Sequence, residues 1–213
     1  MLEEMTIKLA AIQETKIPKI DKKSIIVMCS DNGIFDEDIS SSPQVFTQLL
    51  ANNMARGFTG VCSTADYAGS EVEVVDIGMV DTMERNEGIR CCPVNHGTKN
   101  FYKEPAMTRE EVIEGLNIGI KIAEEKIQAG YDILGTGELG IANTTTASAV
   151  FYALTDLTIE ECVGLGAGIN DVQFKKKKQV IEESVNGYGL KSGKRDVIDV
   201  LAKVGSMDIV GLT

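Results

Sequence analysis

Strand-length apolar runs alternate with helix-period segments along this chain, and that alternation limits its fold more than any other feature. Residues 24–29 (SIIVMC) are nearly all apolar, as expected of a strand buried on both faces. A turn cluster follows at Ser30, Asp31, Asn32 and Gly33. Ser42-Pro43 then offers an N-cap and a first-turn proline for a helix expected to reach Arg56 and stop at Gly57. The next strand is predicted over 71–77 (EVEVVDI), closed by Gly78. Thr108 and Glu111 make a capping box for a helix with Val112, Leu116, Ile120 and Ile127 on its apolar face. Ile133-Leu134 reads as a short strand that passes through a glycine-rich turn into a helix ending near Ala153. A second box, Thr158 with Glu161, opens a short helix, and residues 175–178 start or precede another. Strands separated by helices imply parallel, right-handed βαβ units. The expected fold is therefore α/β: a three-layer, Rossmann-like domain with a mainly parallel sheet and helices on both faces. Its 213 residues suit one such domain over 1–213. At its start, Leu2, Met5, Leu9 and Ile12 recur at helical spacing and predict a helix over 2–12.

Charge and cysteine usage narrow the partners. Lys plus Arg number 21 against 32 Asp plus Glu, a formal charge of -11. That field repels a phosphate polyanion, so nucleic acid is not an expected partner. A small phosphorylated ligand can still be held locally by oriented backbone N–H groups. The five cysteines show no CxxC pair, which reads as reduced thiols in a reducing compartment. Cys91 and Cys92 could ligate a soft metal or simply pack, while the lone His96 rules out a His-rich zinc site. No apolar run approaches a membrane span, and acid stands near the start where a signal peptide carries base. A soluble, cytoplasmic protein without a metal is expected.

In open parallel sheets, ligands bind beyond the carboxyl ends of the strands. Three such ends can be named: Ser30 to Gly33, Asp76 to Gly78, and Gly135 to Gly140. In the third, Gly135, Gly137 and Gly140 are free to take positive φ and approach a ligand. They lead into Ile141, Ala142, Asn143, Thr144, Thr145 and Thr146 at a helix start. Free N–H groups, the helix dipole and hydroxyls would together seat a phosphate monoester; a tight turn with a threonine N-cap is the other reading. The segment is neither a Walker loop nor a dinucleotide fingerprint. Glu138, a carboxylate that would repel phosphate, suits a ribose hydroxyl or a positively charged leaving group, or else caps the loop backbone. The lysines at 175–178 could neutralise phosphate or form a solvated helix face. Asp76 ends its strand alone, with no Thr-Gly loop after it, so a magnesium-pyrophosphate mechanism is poorly supported.

Five blocks occur in a telling order: Val27-Met28-Cys29-Ser30-Asp31-Asn32-Gly33, Asn53-Met54-Ala55-Arg56-Gly57, Val75-Asp76-Ile77-Gly78, Pro105-Ala106-Met107-Thr108, and Gly137-Glu138-Leu139-Gly140-Ile141-Ala142-Asn143-Thr144-Thr145. Together they resemble the nicotinate-nucleotide–dimethylbenzimidazole phosphoribosyltransferase family. The resemblance implies a transfer of phosphoribosyl from nicotinate mononucleotide to a benzimidazole-type base, giving α-ribazole 5′-phosphate for cobamides, with no cofactor. It implies that Gly137, Gly140, Ile141, Ala142, Asn143, Thr144, Thr145 and Lys177 hold phosphate and ribose. Glu138 would support catalysis, and Asp31, Ser42, Leu50 and Leu139 would line the base pocket. A homodimer is implied as well. Departures are Asn32 for a family histidine, Leu50 for a glutamine facing the base, and Ser206 for a glycine. The Leu50 exchange leaves a purine or phenolic acceptor open. The family's N-terminal Pro-Pro-Gly-Ser-Leu-Gly segment and its general-base glutamate have no counterpart here. The chain accordingly reads as shortened at both ends, with helix 2–12 as the remnant of a small helical subdomain. A nucleotide-binding module or partner subunit without turnover is the alternative.

Overall fold

The computed structural model describes residues 1–193 and 196–213. Helix α1 (Leu2–Ile12) forms where expected and buries none of its residues. The core starts at β1 (Lys23–Ser30), whose last five residues are all buried. Helices α2 (Phe46–Ala55) and α3 (Gly60–Tyr67) lead to β2 (Ser70–Gly78), which again ends in five buried residues. A three-residue strand, β3 (Ile89–Cys91), precedes the long helix α4 (Arg109–Gln128) and then β4 (Ile133–Leu139). The chain closes with α5 (Asn143–Leu154), α6 (Ile159–Cys162), α7 (Asp171–Gly187), α8 (Val197–Val204) and α9 (Met207–Leu212).

The sheet runs β3-β2-β1-β4, with every pairing parallel. Period-two alternation divides its side chains between two cores. Ile26, Met28, Val75 and Ile77 join the helices α4, α5 and α7 to α9, whereas Val27, Cys29 and Val74 pack with Ala51, Met79 and Ile89. Helices thus cover both faces, as the alternating sequence predicts. The capping boxes at Thr108 and Thr158 are both formed.

Four local expectations are corrected. Ser42 does not cap α2: Phe46 N–H bonds Pro43 C=O at 3.1 Å, so a turn occupies residues 43–46 and the helix begins at Phe46. On α4, Ile120 (56% exposed) and Ile127 (63%) face outward, while Val112, Gly115 and Ile122 are buried. Glycine sets that face. A Cβ on Gly119 would come within 2.2 Å of the Gly211 carbonyl oxygen, so α9 lies directly on the glycine side of α4. The glycine-rich stretch 135–139 is strand, not turn, because its backbone continues the register with β1 from Ile25↔Gly135 to Cys29↔Leu139. None of Gly135, Gly137 and Gly140 has positive φ. Finally, α3, β3, α8 and α9 are additional to the elements read from the sequence.

Candidate active site

The carboxyl ends of β1, β2 and β4 meet at one edge, and buried polar groups fix the turns leaving them. Asp31, fully buried, accepts Val80 N–H on Oδ2 at 2.8 Å. Burial pushes its carboxyl upward, against the lowering effect of Thr47 and of the Val80 amide. Asn32 Nδ2 donates to Ile141 C=O at 3.1 Å, and Ile141 N–H donates to Thr47 Oγ1 at 3.1 Å. One residue of the turn is therefore clamped from β1 and from α2. Gly140 sits against β1, where a Cβ would lie 2.3 Å from Ser30 O. Asp76 is occupied by its own turn: Oδ1 accepts Gly78 and Met79 N–H, and Arg85 Nε lies 2.5 Å from Oδ2.

The turn after β4 contains a backbone anomaly. Ala142, the N-cap of α5, has φ 68. A non-glycine residue in the left-handed region costs about 1–3 kcal/mol and persists only where its surroundings impose it. Asn143 N–H to Gly140 O and Thr145 N–H to Ala142 O hold the turn. The first turn of α5, with the positive end of its dipole, then opens into the cleft.

Lys177 closes this arrangement from α7. Of the lysines at 175–178 it alone is buried, at 1% exposure. Its Nζ donates to Thr144 Oγ1 at 2.8 Å and to Gly164 C=O at 3.1 Å. An ammonium carries three donors, so one is left for a ligand. Burial lowers its pKa to about 8. Lys176 and Lys178 instead pair on the surface with Glu37 and Glu160.

A cavity of about 100 Å³ lies over the first turn of α5. Gly140 to Thr144 form its floor, Ser40 and Ser42 one wall, and Leu165, Ala167 and Ile169 the other. Ser41 Oγ donates to Ala167 C=O at 2.8 Å, which ties the two walls together. Gly166 and Gly168 both have φ +71, and a Cβ on Gly166 would press on Thr144 Oγ1 at 2.8 Å. Through Ser40 and Ser42 the cavity adjoins an open cleft of about 510 Å³ bordered by Phe35, Asp36 and Asp38.

The structure therefore brings together Gly140, Ile141, Ala142, Asn143, Thr144, Ser42 and Lys177. Glu138 stands exposed near the end of β4, and desolvation among the strand tips raises its pKa. Leu139 ends the same strand, and Gly137 lies inside it against Val27. Thr145 is buried rather than lining the cavity, and Leu50 on α2 borders neither cavity. Cys91 is exposed and Cys92 half-buried at the end of β3, and both are free thiols.

Residues that the sequence reading missed are the wall at 164–169, Ser40, Thr47 and Asp208. The spacing Gly164-x-Gly166-x-Gly168 was the available signal for the wall. Asp208 is fully buried: Oδ1 accepts from Ser206 Oγ and Ile209 N–H, and its own N–H donates to Ser30 Oγ at 3.2 Å. Oδ2 has no partner. Burial foremost, with a smaller push from Glu138, raises the Asp208 pKa to about 6.

Known proteins resemble this chain along its whole length. A family model described as a phosphoribosyltransferase matches residues 1–213. The chain is 44% identical over 211 residues to the nicotinate-nucleotide–dimethylbenzimidazole phosphoribosyltransferase of Acetivibrio thermocellus, covering 99% of this chain and 59% of the relative. It is 44% identical over 215 residues to the protein of the same name from Clostridium perfringens, of which it covers 58%. The crystal structure of CobT from Thermus thermophilus superposes with a TM-score of 0.92 at 31% identity, over 99% of this chain and 62% of that one. The chain thus spans about three-fifths of the length of the relatives it matches.

Proposed function

We propose a reaction from one premise: the chain belongs to the nicotinate-nucleotide–dimethylbenzimidazole phosphoribosyltransferase family. In this reading the chain binds nicotinate mononucleotide with its 5′-phosphate in the small cavity over α5. The ribose then lies toward the strand tips, and the acceptor base takes the open cleft beside Ser42. A nitrogen of a benzimidazole-type base attacks the anomeric carbon on the face opposite the leaving group. The glycosidic C–N bond breaks, and its electron pair returns to the pyridinium nitrogen, releasing nicotinate. The base loses its N–H proton to the surroundings, and the product is α-ribazole 5′-phosphate, a precursor of cobamides.

The observation that carries this proposal is Lys177, a buried ammonium that donates to Thr144 at the N-terminus of α5 and to Gly164, leaving one of its three donors for a ligand. A buried cation is costly unless paired, so an anion is its natural complement. The positive end of the α5 dipole, in the turn held by the left-handed Ala142, adds to the attraction for phosphate. In this reading the Glu138 carboxylate stabilises positive charge on the ribose as the C–N bond lengthens.

A homodimer belongs to the same reading, supported by the exposed apolar side chains Val45, Phe46 and Leu49 along α2. So does a cytoplasmic setting, supported by the five free thiols. Among the described residues no helix is long and apolar enough to cross a membrane. We take α1 as part of a small helical subdomain beside the domain formed by the rest of 1–213, which fits its lack of buried residues.

The test is incubation of the purified chain with nicotinate mononucleotide and 5,6-dimethylbenzimidazole, alongside thermal melting with the nucleotide alone. A rise in melting temperature with α-ribazole phosphate formation is expected, because a ligand that binds only the folded state must stabilise it. No shift at millimolar nucleotide would reject the reading.

A further inference from the structure

The turn between β4 and α5 has a conformation that its own sequence does not favour. Asn143 N–H bonds Gly140 C=O at 3.1 Å, which makes residues 140–143 a β-turn. Its third residue, Ala142, has φ 68 and ψ 7, while Ile141 is not among the residues with positive φ. Those angles define a type II turn, whose third position calls for glycine or asparagine. Alanine there favours type I, which differs by a half-turn of the peptide joining the two central residues. That middle peptide is held from outside. Asn32 Nδ2, in the turn leaving β1, donates to the Ile141 carbonyl at 3.1 Å. Asn32 is fully buried, and its Oδ1 has no partner among the described residues. A buried amide with an unmade bond is destabilising, so the bond to Ile141 is what its side chain contributes. Thr47 Oγ1 accepts the Ile141 N–H and fixes the preceding peptide.

We infer that Asn32 is a positioning residue for phosphate binding. By holding the Ile141 carbonyl toward β1, it selects the type II turn and directs the Ala142 N–H the other way, into the cavity over α5. That N–H makes no hydrogen bond among the described residues, and Ala142 belongs to the cavity floor. A type I turn would swing the N–H toward β1 and present the Ile141 carbonyl, an acceptor, to the anion. The inference rests on the phosphate seat proposed above and adds the group that aims it.

The test removes the amide with Asn32→Leu, a side chain of similar size, and with Asn32→Ala should the first variant fail to fold by circular dichroism. NMR of Ala142 without nucleotide, through its HN–Hα coupling and carbon shifts, should show the left-handed φ in the native chain and its loss in the variant. Calorimetry with nicotinate mononucleotide should show affinity weakened about tenfold, within the range of coupling between contacting residues. Adding Ala142→Gly, which takes positive φ freely, should shrink that loss to about threefold or less, a rescue that general destabilisation would not give. The inference is overturned if Ala142 stays left-handed without the amide, or if the loss is the same size in the Ala142→Gly background. A native chain that does not bind the nucleotide would reject the phosphate seat itself, and the Ala142 conformation would still decide the role of Asn32.

Discussion

Lys177 Nζ lies 2.8 Å from Thr144 Oγ1, joining α7 to the first turn of α5 across 33 residues of sequence. The contact sets a buried positive charge beside the positive end of a helix dipole, an arrangement that repels itself until an anion arrives. Burial already lowers the Lys177 pKa to about 8. A bound phosphate dianion must raise it again, so nucleotide binding at pH 8–9 should take up a proton. Calorimetry in buffers of different ionisation enthalpy measures that uptake, and affinity should fall as pH rises through about 8. Lys177→Met should weaken nucleotide binding by about 10–100-fold, the value of a charge-assisted hydrogen bond, and abolish the uptake.

Stability carries its own pH signature, at lower pH, through Asp208. Its folded pKa, about 6, lies above the ordinary aspartate value of about 3.9. The folded protein therefore holds more protons than the unfolded one between those values, and stability falls as pH rises from about 4 to about 6. The full effect is about 3 kcal/mol. Asp208→Asn should flatten this stretch of the profile in urea titrations collected at several pH values.

Gly140 and Gly164 should respond differently to the same change. A Cβ at Gly140 meets Ser30 O at 2.3 Å and Asn32 Nδ2 at 2.9 Å, whereas at Gly164 nothing lies within 4 Å. Gly140→Ala should cost about 1–3 kcal/mol through overpacking and shift the α5 turn. Gly164→Ala should stay within about 0.5 kcal/mol. Chemical denaturation of the two variants side by side gives the comparison.

Glu138 separates binding from turnover. Placed near the strand tips and outside the phosphate cavity, Glu138→Gln should leave the nucleotide affinity within about threefold while slowing turnover by about 10²–10³-fold, the effect of removing one charge-stabilising group. Equilibrium binding and initial rates on one preparation decide it.

Much of the layout was written in local patterns. The run at 24–29, the EVEVVDI strand and both threonine capping boxes depend on near neighbours, and each formed within a residue or two of its expected place. The glycines of the GTGELG segment misled because glycine marks either a turn or close strand packing. Here Gly135 and Gly137 lie against Ile25 and Val27, and the left-handed position falls to Ala142, which no composition rule marks. The outward side of α4 was misjudged for a related reason, since Gly115 and Gly119 count as neutral in a periodicity yet form the contact with α9. Within the run of four lysines nothing local distinguishes 177 from its neighbours; only the rotation of α7 against α5 buries that one. The wall at 164–169 reaches the cavity through Ser41, 126 residues away from Ala167 in sequence.

The central claim is that the first turn of α5 and Lys177 grip a ribose-borne phosphate. A crystal structure with nicotinate mononucleotide tests it most directly. The account predicts the 5′-phosphate over Ala142 to Thr144, within hydrogen-bond distance of Lys177 Nζ, with the ribose toward Glu138. Nucleotide bound elsewhere, or a phosphate out of reach of Lys177, would contradict it.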